Sequence, residues 1–141
     1  MSQTHELTTL NIKLYRIISQ DIICDKVIIT EERIQHIKNR HPDDYERFMQ
    51  YIPEIITNPD YIIQTNKKHT AVILKEIVAN GDKFKLILRL KVSTDPINYK
   101  NSVISFWQIG DTTWRKNLKN KKILYKSPSL PYTKDKDRKD F

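Results

Sequence analysis

Residues 70–92 read TAVILKEIVANGDKFKLILRLKV, which is two β-rich runs separated by a short polar break. Runs rich in Val, Ile and Leu are typical of strands, and the Asn80-Gly81 pair between them is the strongest short signal for a β-hairpin. The stretch therefore predicts two antiparallel strands. If Asn80 and Gly81 are the loop, residues equidistant from them pair across it, which places Ile77 beside Phe84.

Alternation along these strands assigns two faces to the hairpin, because successive side chains point to opposite sides of a sheet. The first face should take the helices, and it carries Ile73, Lys75, Ile77, Phe84, Leu86 and Leu88. The second is named the basic face here, and it carries Val72, Leu74, Glu76, Lys85, Ile87 and Arg89, with Lys91 further on. A slip of one residue in the pairing would exchange the two sets.

The rest of the chain extends this sheet and adds helices. Strands are predicted at NIKLYRII (11–18), KVIIT (26–30), YIIQT (61–65) and SVISFWQI (102–109). Helices are predicted at EERIQHIKNRH (31–41) after an N-cap at Thr30, at DDYERFMQYIPEII (43–56) until Pro53, and in a final basic segment that opens Trp-Arg-Lys. We therefore predict an α+β fold, an antiparallel β-meander with the N-terminal helices packed on one face.

Length and charge limit the organisation and the partners. A chain of 141 residues is the size of one domain. We expect a flexible N-terminus at 1–9, a single domain at 10–126 and a flexible charged tail at 127–141. The formal net charge of +8 favours a polyanionic partner, although a charged solvated surface gives the same excess.

Cysteine content and hydropathy indicate the compartment. The single cysteine, Cys24, cannot form an internal disulfide, which is typical of a reducing environment. No apolar run approaches the ~20 residues that a membrane helix requires, and the polar start MSQTHELTT does not resemble a secretory signal. We expect a cytoplasmic protein without membrane contact, or one delivered into the cytoplasm of a target cell.

Trp107 is the first candidate for nucleic-acid binding. If Ile104 and Phe106 join the core, Ser105 and Trp107 lie on the basic face. An indole among cations suits a single-stranded nucleic acid, since the ring stacks on a base while the cations bind the backbone. The alternative is a tryptophan in the core whose N–H is hydrogen-bonded.

The histidines of the first long helix differ in position. At about 100° per residue, His36 lies nearly opposite Ile34, whereas His41 falls within about 20° of it. A histidine at a helix C-terminus is favoured in its charged form, which suits a general acid or a phosphate contact. His41 is therefore the candidate, and the alternative is a ring that only caps the last carbonyls.

No motif indicates a metal or a cofactor. The chain has no Cys pair and no His-Glu-x-x-His sequence, and His36 and His41 do not share a helix face. With two glycines it has no Gly-rich phosphate loop. The remaining interpretation is metal-free chemistry on a polyanion.

Taken in order, ITEERIQHIKNRHPDDYERF, NKKHTAVILKEI, NGDKFKLILRLK, STDPINYKNSVISFWQI and WRKNLKNKKILYK resemble phage-associated nuclease-like domains grouped with barnase, EndoU, colicin ribonucleases and RelE. The resemblance covers about Val27 to Lys126, and its most specific pieces are RHP.DYE and DP..YKNS.I.FW. Such domains often follow phage head or portal-associated proteins. We expect no such head-protein domain in front of this one, and therefore a free-standing toxin or accessory protein of a phage or mobile element.

The resemblance implies a metal-independent endoribonuclease fold whose open sheet face holds the substrate. The catalytic residues that it implies are His41, Lys75, Arg89 and Ser105. The hairpin register instead places Lys75 on the helix face, which leaves Lys75 and Glu76 as alternative second proton-transfer groups. Lys91 and Trp107 complete the basic face, and Lys100 and Arg115 extend the positive surface for RNA binding.

The expected partners follow from this interpretation. They are RNA, such as transfer RNA or ribosome-bound messenger RNA, and an acidic immunity protein or antitoxin. A non-catalytic nucleic-acid-binding or protein-interaction module on the same fold remains the alternative.

Overall fold

The computed structural model describes residues 3–130 and has an α+β fold. Its strands are β1 (Thr4–Thr9), β2 (Lys26–Thr30), β3 (Tyr61–Ile63), β4 (Thr70–Glu76), β5 (Lys83–Arg89), β6 (Asn101–Ile109) and β7 (Ile123–Lys126). Its helices are α1 (Ile12–Tyr15), α2 (Glu31–Arg40), α3 (Asp44–Phe48), α4 (Ile52–Thr57) and α5 (Asp111–Asn120), with a 3-10 turn at Met49–Tyr51.

The seven strands form one sheet in the order β1-β2-β6-β5-β4-β3-β7. Every neighbouring pair is antiparallel except β2 and β6, which run parallel. The strands β3 to β6 are the predicted meander. The short strand β7 was not predicted; it pairs with β3 and closes that side of the sheet.

The hairpin of β4 and β5 is present, but its predicted two-residue loop is wrong. Ile73 pairs with Leu86 and Lys75 with Phe84, so the pairing is shifted by two residues. Gly81 has a φ of +77°, whereas a two-residue Asn-Gly loop needs a positive φ at Asn80 as well, and Asn80 has none. Because the shift is even, the same side chains share a face, and both face assignments hold.

The first face of the hairpin lies in the main hydrophobic core. Ile73, Phe84 and Leu86 are fully buried there. The same cluster contains apolar side chains of α2, α3 and α4, namely Ile34, Ile37, Tyr45, Phe48, Ile52, Ile55 and Ile56. At ~25 cal/mol per Å² of apolar area, this burial is the main source of the stability of the sheet.

The basic face is less open than predicted. Tyr61, Ile63, Val72, Leu74 and Ile109 form a second buried cluster, and Trp114 and Leu118 of α5 pack on it. Apolar side chains alternate with the charged ones on this face and would otherwise lie in water, which explains why an amphipathic helix covers them. The helix therefore reduces the accessible part of this face and leaves a groove between itself and the sheet.

A β-bulge corrects the predicted orientation of β6. Ile87 pairs with Ser105 but Leu88 pairs with Val103, so Ile104 is an extra residue in β6. The extra residue of a bulge shifts the alternation of side chains by one position, so residues on its two sides follow different parities. Val103 therefore takes the core position predicted for Ile104, while Phe106 lies in the core as expected.

The N-terminal segment also differs from the prediction. Residues 4–9, within the expected flexible end, form β1 and pair with β2. The predicted strand at 11–18 is wrong: Asn11 accepts a hydrogen bond from the Leu14 N–H at 3.3 Å and caps the short helix α1.

Proline has opposite effects at its two helix positions. The chain leaves α2 at His41 before Pro42, as predicted. Pro53, predicted to end a helix, instead lies in the first turn of α4, where its missing N–H costs nothing.

Of the expected tail at 127–141, residues 131–141 lie outside the described residues, while Ser127 is buried and donates its N–H to the Asp60 carbonyl at 2.8 Å.

Candidate functional site

The turn between α2 and α3 fixes the position of His41. Its N–H donates to the Ile37 carbonyl at 2.8 Å, and its own carbonyl accepts from the Asp44 N–H at 3.1 Å. Pro42 disfavours a further helical turn, and Asp43 reverses the chain with a φ of +75°. The backbone of His41 is therefore held on both sides, and its side chain is half-buried.

The His41 ring stacks on the indole of Trp107. The ring centroids are 5.3 Å apart and the planes differ by 2°. A second contact holds the same elements together, because the Asp44 carboxylate accepts the Gln108 N–H of β6 at 3.1 Å. That N–H is available since β2 pairs only with Asn101 and Ser102 at the start of β6. The sequences RHPDDYE and SFW thus meet at one edge of β6.

Lys85 completes this cluster. It pairs with Trp107 across β5 and β6, and its ammonium lies 5.7 Å from the Trp107 ring centroid. The ammonium also donates to the side-chain oxygen of Asn117 on α5 at 2.9 Å. Burial, and secondarily the charge of Lys121, lowers the pKa of Lys85 below its ordinary value. A lysine that releases its proton more readily is suited to proton transfer.

Ser105 lies on the same face of β6, two residues before Trp107, and is half-buried. We name the group His41, Lys85, Ser105, Trp107 and Asn117 the His41 site. It brings together three predicted residues, His41, Ser105 and Trp107. Lys85 and Asn117 were not among the predicted site residues. Strand alternation placed Lys85 on the basic face, but the predicted register put it beside Glu76 instead of Leu74.

Lys75 lies elsewhere. It is on the opposite face of the sheet from Trp107, with a side chain only 7 % exposed. Its ammonium contacts the Asp60 carboxylate at 3.3 Å and that of Glu54 at 3.9 Å. We therefore assign Lys75 a structural role in place of the predicted catalytic one.

Arg89 and Lys91 are occupied in holding the turn before β6. The Arg89 guanidinium bonds both carboxylate oxygens of Asp95, at 2.9 and 3.2 Å, and the Leu90 carbonyl. Lys91 is buried, and its ammonium donates to the Pro96 carbonyl. The hydrogen bond from the Val92 N–H lowers the pKa of Asp95, and the hydrogen bond and charge of Arg89 lower it further. The Asp-Pro motif thus builds a turn in which Arg89 is paired with the Asp95 carboxylate and the Lys91 ammonium is hydrogen-bonded to the Pro96 carbonyl.

Asn101 explains another part of that motif. It is fully buried. Its amide donates to the carbonyls of Cys24 and Lys26 at 2.7 and 2.9 Å, and its oxygen accepts the Lys91 N–H at 2.7 Å. Asn101 therefore has a structural role, because its side chain links the start of β2 to the segment that follows β5.

The last two predicted residues lie outside the cluster. Lys100 is exposed just before β6, and Arg115 is exposed on α5, where it lines a groove between α5 and the sheet. Among residues 3–130 no three His, Cys, Asp or Glu side chains come together as metal ligands would. Within the same range no helix is both long and apolar enough to cross a bilayer.

Comparison with known proteins gives one match. No curated protein and no solved structure matches the chain significantly. Residues 6–126 match the family model described as phage-Barnase-EndoU-ColicinE5/D-RelE like nuclease 2. This range includes all seven strands except the first two residues of β1, and every residue of the His41 site. The chain therefore belongs to the phage-Barnase-EndoU-ColicinE5/D-RelE like nuclease 2 family, and is a nuclease-like protein of that superfamily.

Proposed function

We propose that this protein is a metal-independent endoribonuclease and that the His41 site cleaves the RNA. The observation that carries the proposal is the stacked pair of His41 and Trp107, beside which lies the lowered-pKa ammonium of Lys85. Two proton-transfer groups around one ring are what cleavage by a neighbouring hydroxyl requires. We further propose that the protein acts in a cytoplasm, as a toxin or accessory nuclease of a phage or mobile element.

The chemistry assigns one role to each group. The His41 ring takes the proton of a ribose 2′-hydroxyl, and that oxygen attacks the adjacent phosphorus. The Lys85 ammonium stabilises the added negative charge and gives its proton to the departing 5′-oxygen. Ser105 donates a hydrogen bond to a phosphate oxygen. The bond to the 5′-oxygen breaks, which leaves a 2′,3′-cyclic phosphate and a 5′-hydroxyl.

Trp107 acts through His41, and Asn117 acts through Lys85. The imidazole of His41 occupies one face of the indole, so Trp107 fixes the orientation of the His41 ring by stacking. Asn117 accepts from the Lys85 ammonium and keeps it near the ring. Asn117 is therefore a positioning residue.

A second candidate is a nucleic-acid-binding or interaction module without catalysis. It is favoured by the structural bonds of Lys75 and Arg89, which are the two cations among the predicted catalytic residues. Such a module would use the net positive charge to bind RNA or an acidic antitoxin or immunity protein.

Incubation of the purified protein with RNA separates these candidates. We expect cleavage that persists in excess chelator and leaves 2′,3′-cyclic phosphate and 5′-hydroxyl ends, while DNA of the same sequence stays intact. RNA that is bound but remains uncut would favour the binding module. Fragments with 5′-phosphate ends would exclude the proposed chemistry.

The pH dependence of cleavage tests the role of Lys85. As acid, Lys85 must be protonated, so the rate should fall on the alkaline side at a pH below ~10.4, the ordinary lysine value. Between the lowered and the ordinary pKa the folded chain binds fewer protons than the unfolded chain, so Lys85 makes folding more favourable as pH rises there. This titration therefore does not cause unfolding in that range.

The Lys85→Arg variant keeps the charge but does not titrate there, so its rate should fall about 100-fold and its alkaline decline should disappear. Lys26→Arg, at the exposed first residue of β2, is the matched control and should keep the wild-type profile. An unchanged alkaline decline in Lys85→Arg would remove Lys85 from the mechanism.

A further inference from the structure

A groove of about 680 Å³ lies on the other side of α5 from Lys85, within the ~300–1,000 Å³ typical of small-ligand sites. Its apolar wall contains Trp114, Leu118, Tyr61 and Ile123. The rings of Tyr61 and Trp114 meet edge to face with centroids 5.9 Å apart. This contact orients the indole along the wall of the groove.

The charged lining of the groove is predominantly positive. It contains the four cations Lys83, Arg115, Lys119 and Lys126 and the two carboxylates Glu76 and Asp111. Lys83 contacts both carboxylates, Asp111 at 2.9 Å and Glu76 at 3.7 Å. Its ammonium also lies 5.9 Å from the Trp114 ring centroid. The single Lys83 ammonium thus offsets part of the charge of the two carboxylates, and the other three cations leave the lining as a whole positive.

Two further cations stand at its rim. Arg115 and Lys119 are exposed and four residues apart, so they share one side of α5 next to Trp114. An aromatic wall bordered by cations is complementary to a nucleotide, because the base stacks on the ring while the phosphate contacts the cations. A purely apolar ligand would leave these charges without a counterpart, and an inorganic anion would not use the wall.

The groove and the His41 site lie along one line of paired residues. Across β3, β4, β5 and β6 these are Tyr61, Leu74, Lys85 and Trp107. At ~4.8 Å per strand, Tyr61 and Trp107 are about 14 Å apart along the sheet. Trp114 and Leu118 of α5 cover Leu74 between them, so a single strand that contacts both places crosses over α5.

We propose that this groove is a nucleotide subsite that holds one unpaired base of the RNA strand and its phosphate, a few nucleotides from the cleaved bond. The proposal rests on the proposed function for its biological substrate. Its binding chemistry is independent of cleavage, so the two can fail separately.

Fluorescence of Trp114 tests the subsite. The chain has two tryptophans, so in a Trp107→Phe variant the tryptophan emission, excited selectively over that of the tyrosines, comes from Trp114 alone. Titration with the ribonucleoside 5′-monophosphates should give saturable quenching, and ribose 5-phosphate and inorganic phosphate should not. If ribose 5-phosphate or inorganic phosphate quenched the emission as strongly as the nucleotides, the groove would be a nonspecific anion-binding surface. That result would overturn the proposal.

Charge variants locate the binding. Arg115→Gln with Lys119→Gln should weaken nucleotide binding tenfold or more. The matched control, Lys13→Gln with Arg16→Gln, removes the same charge from the exposed side of α1 and should change it less than twofold. Equal weakening by both pairs would overturn the proposal. If Trp107→Phe does not fold, equilibrium dialysis of labelled nucleotide against wild type and the two double variants gives the same comparison.

Cleavage assays distinguish the two proposals. Nucleotide binding in the groove by a protein that leaves RNA intact would retain the subsite and reject the endoribonuclease. Cleaved RNA without nucleotide binding would reject the subsite alone.

Discussion

His41→Ala should lower the rate of RNA cleavage by about 100-fold or more, the usual contribution of one positioned acid-base group. The expectation rests on the placement of the imidazole, which is fixed by backbone hydrogen bonds on both sides and by stacking on Trp107. Single-turnover cleavage of a labelled RNA, with the variant in excess, measures the chemical step directly.

His36→Ala is the matched control. His36 is in α2, five residues before His41, and is exposed. Its replacement should change the rate less than twofold. Equal losses in the two variants would contradict the assignment of His41, because a general loss of charge or helix stability would then explain both.

Asp60→Ala should lower the free energy of unfolding by about 3–5 kcal/mol, because it leaves the buried Lys75 ammonium without its closest partner. Asp60 also accepts the Glu76 N–H at 2.9 Å, so the substitution removes a second acceptor. Denaturant unfolding followed by fluorescence gives the change. For a domain stabilised by ~5–15 kcal/mol, this is a large fraction of the total.

A paired substitution separates structure from catalysis at Lys75. Lys75→Met together with Asp60→Asn removes both charges and keeps an acceptor for the Glu76 N–H, so it should recover most of the lost stability. Since Lys75 faces away from Trp107, the folded double variant should cleave RNA within about threefold of the wild-type rate. A 100-fold loss in that variant would restore Lys75 to the active site.

The hairpin shows how far local sequence signals extend. Strand composition and the Asn80-Gly81 pair predicted the two strands and the correct faces, because side-chain alternation depends only on parity. The register was wrong by two residues, since the turn conformation depends on the φ of Asn80, which its identity alone does not determine.

The candidate site was predicted only in part for a related reason. Helix periodicity selected His41 as the candidate, but its φ of −135° and ψ of 76° are not helical, so the turn after α2 sets the direction of its side chain. The role of Lys85 depends on its pairing with Trp107 and on Asn117 of α5, which is 32 residues away. These are tertiary relations, so no local pattern indicated them.

Positive charge was the least informative signal. Arg89 and Lys91 lie in the expected strand, but Asp95 and Pro96 of the following turn engage them. A sequence shows which residues carry charge, whereas the structure shows which charges are already paired. The Asp-Pro stretch of this chain is explained by that turn and by Asn101, while the His-Pro stretch positions the catalytic candidate.

The most direct test of the central claim uses an RNA with a single 2′-deoxy substitution. The cleaved bond is first mapped from the ends of the fragments, and the nucleotide on its 5′ side is then replaced by its 2′-deoxy form. Because the 2′-hydroxyl is the proposed attacking group, cleavage at that bond should stop while binding is unchanged. Continued cleavage at the same bond would show that water or another nucleophile attacks and would contradict the mechanism.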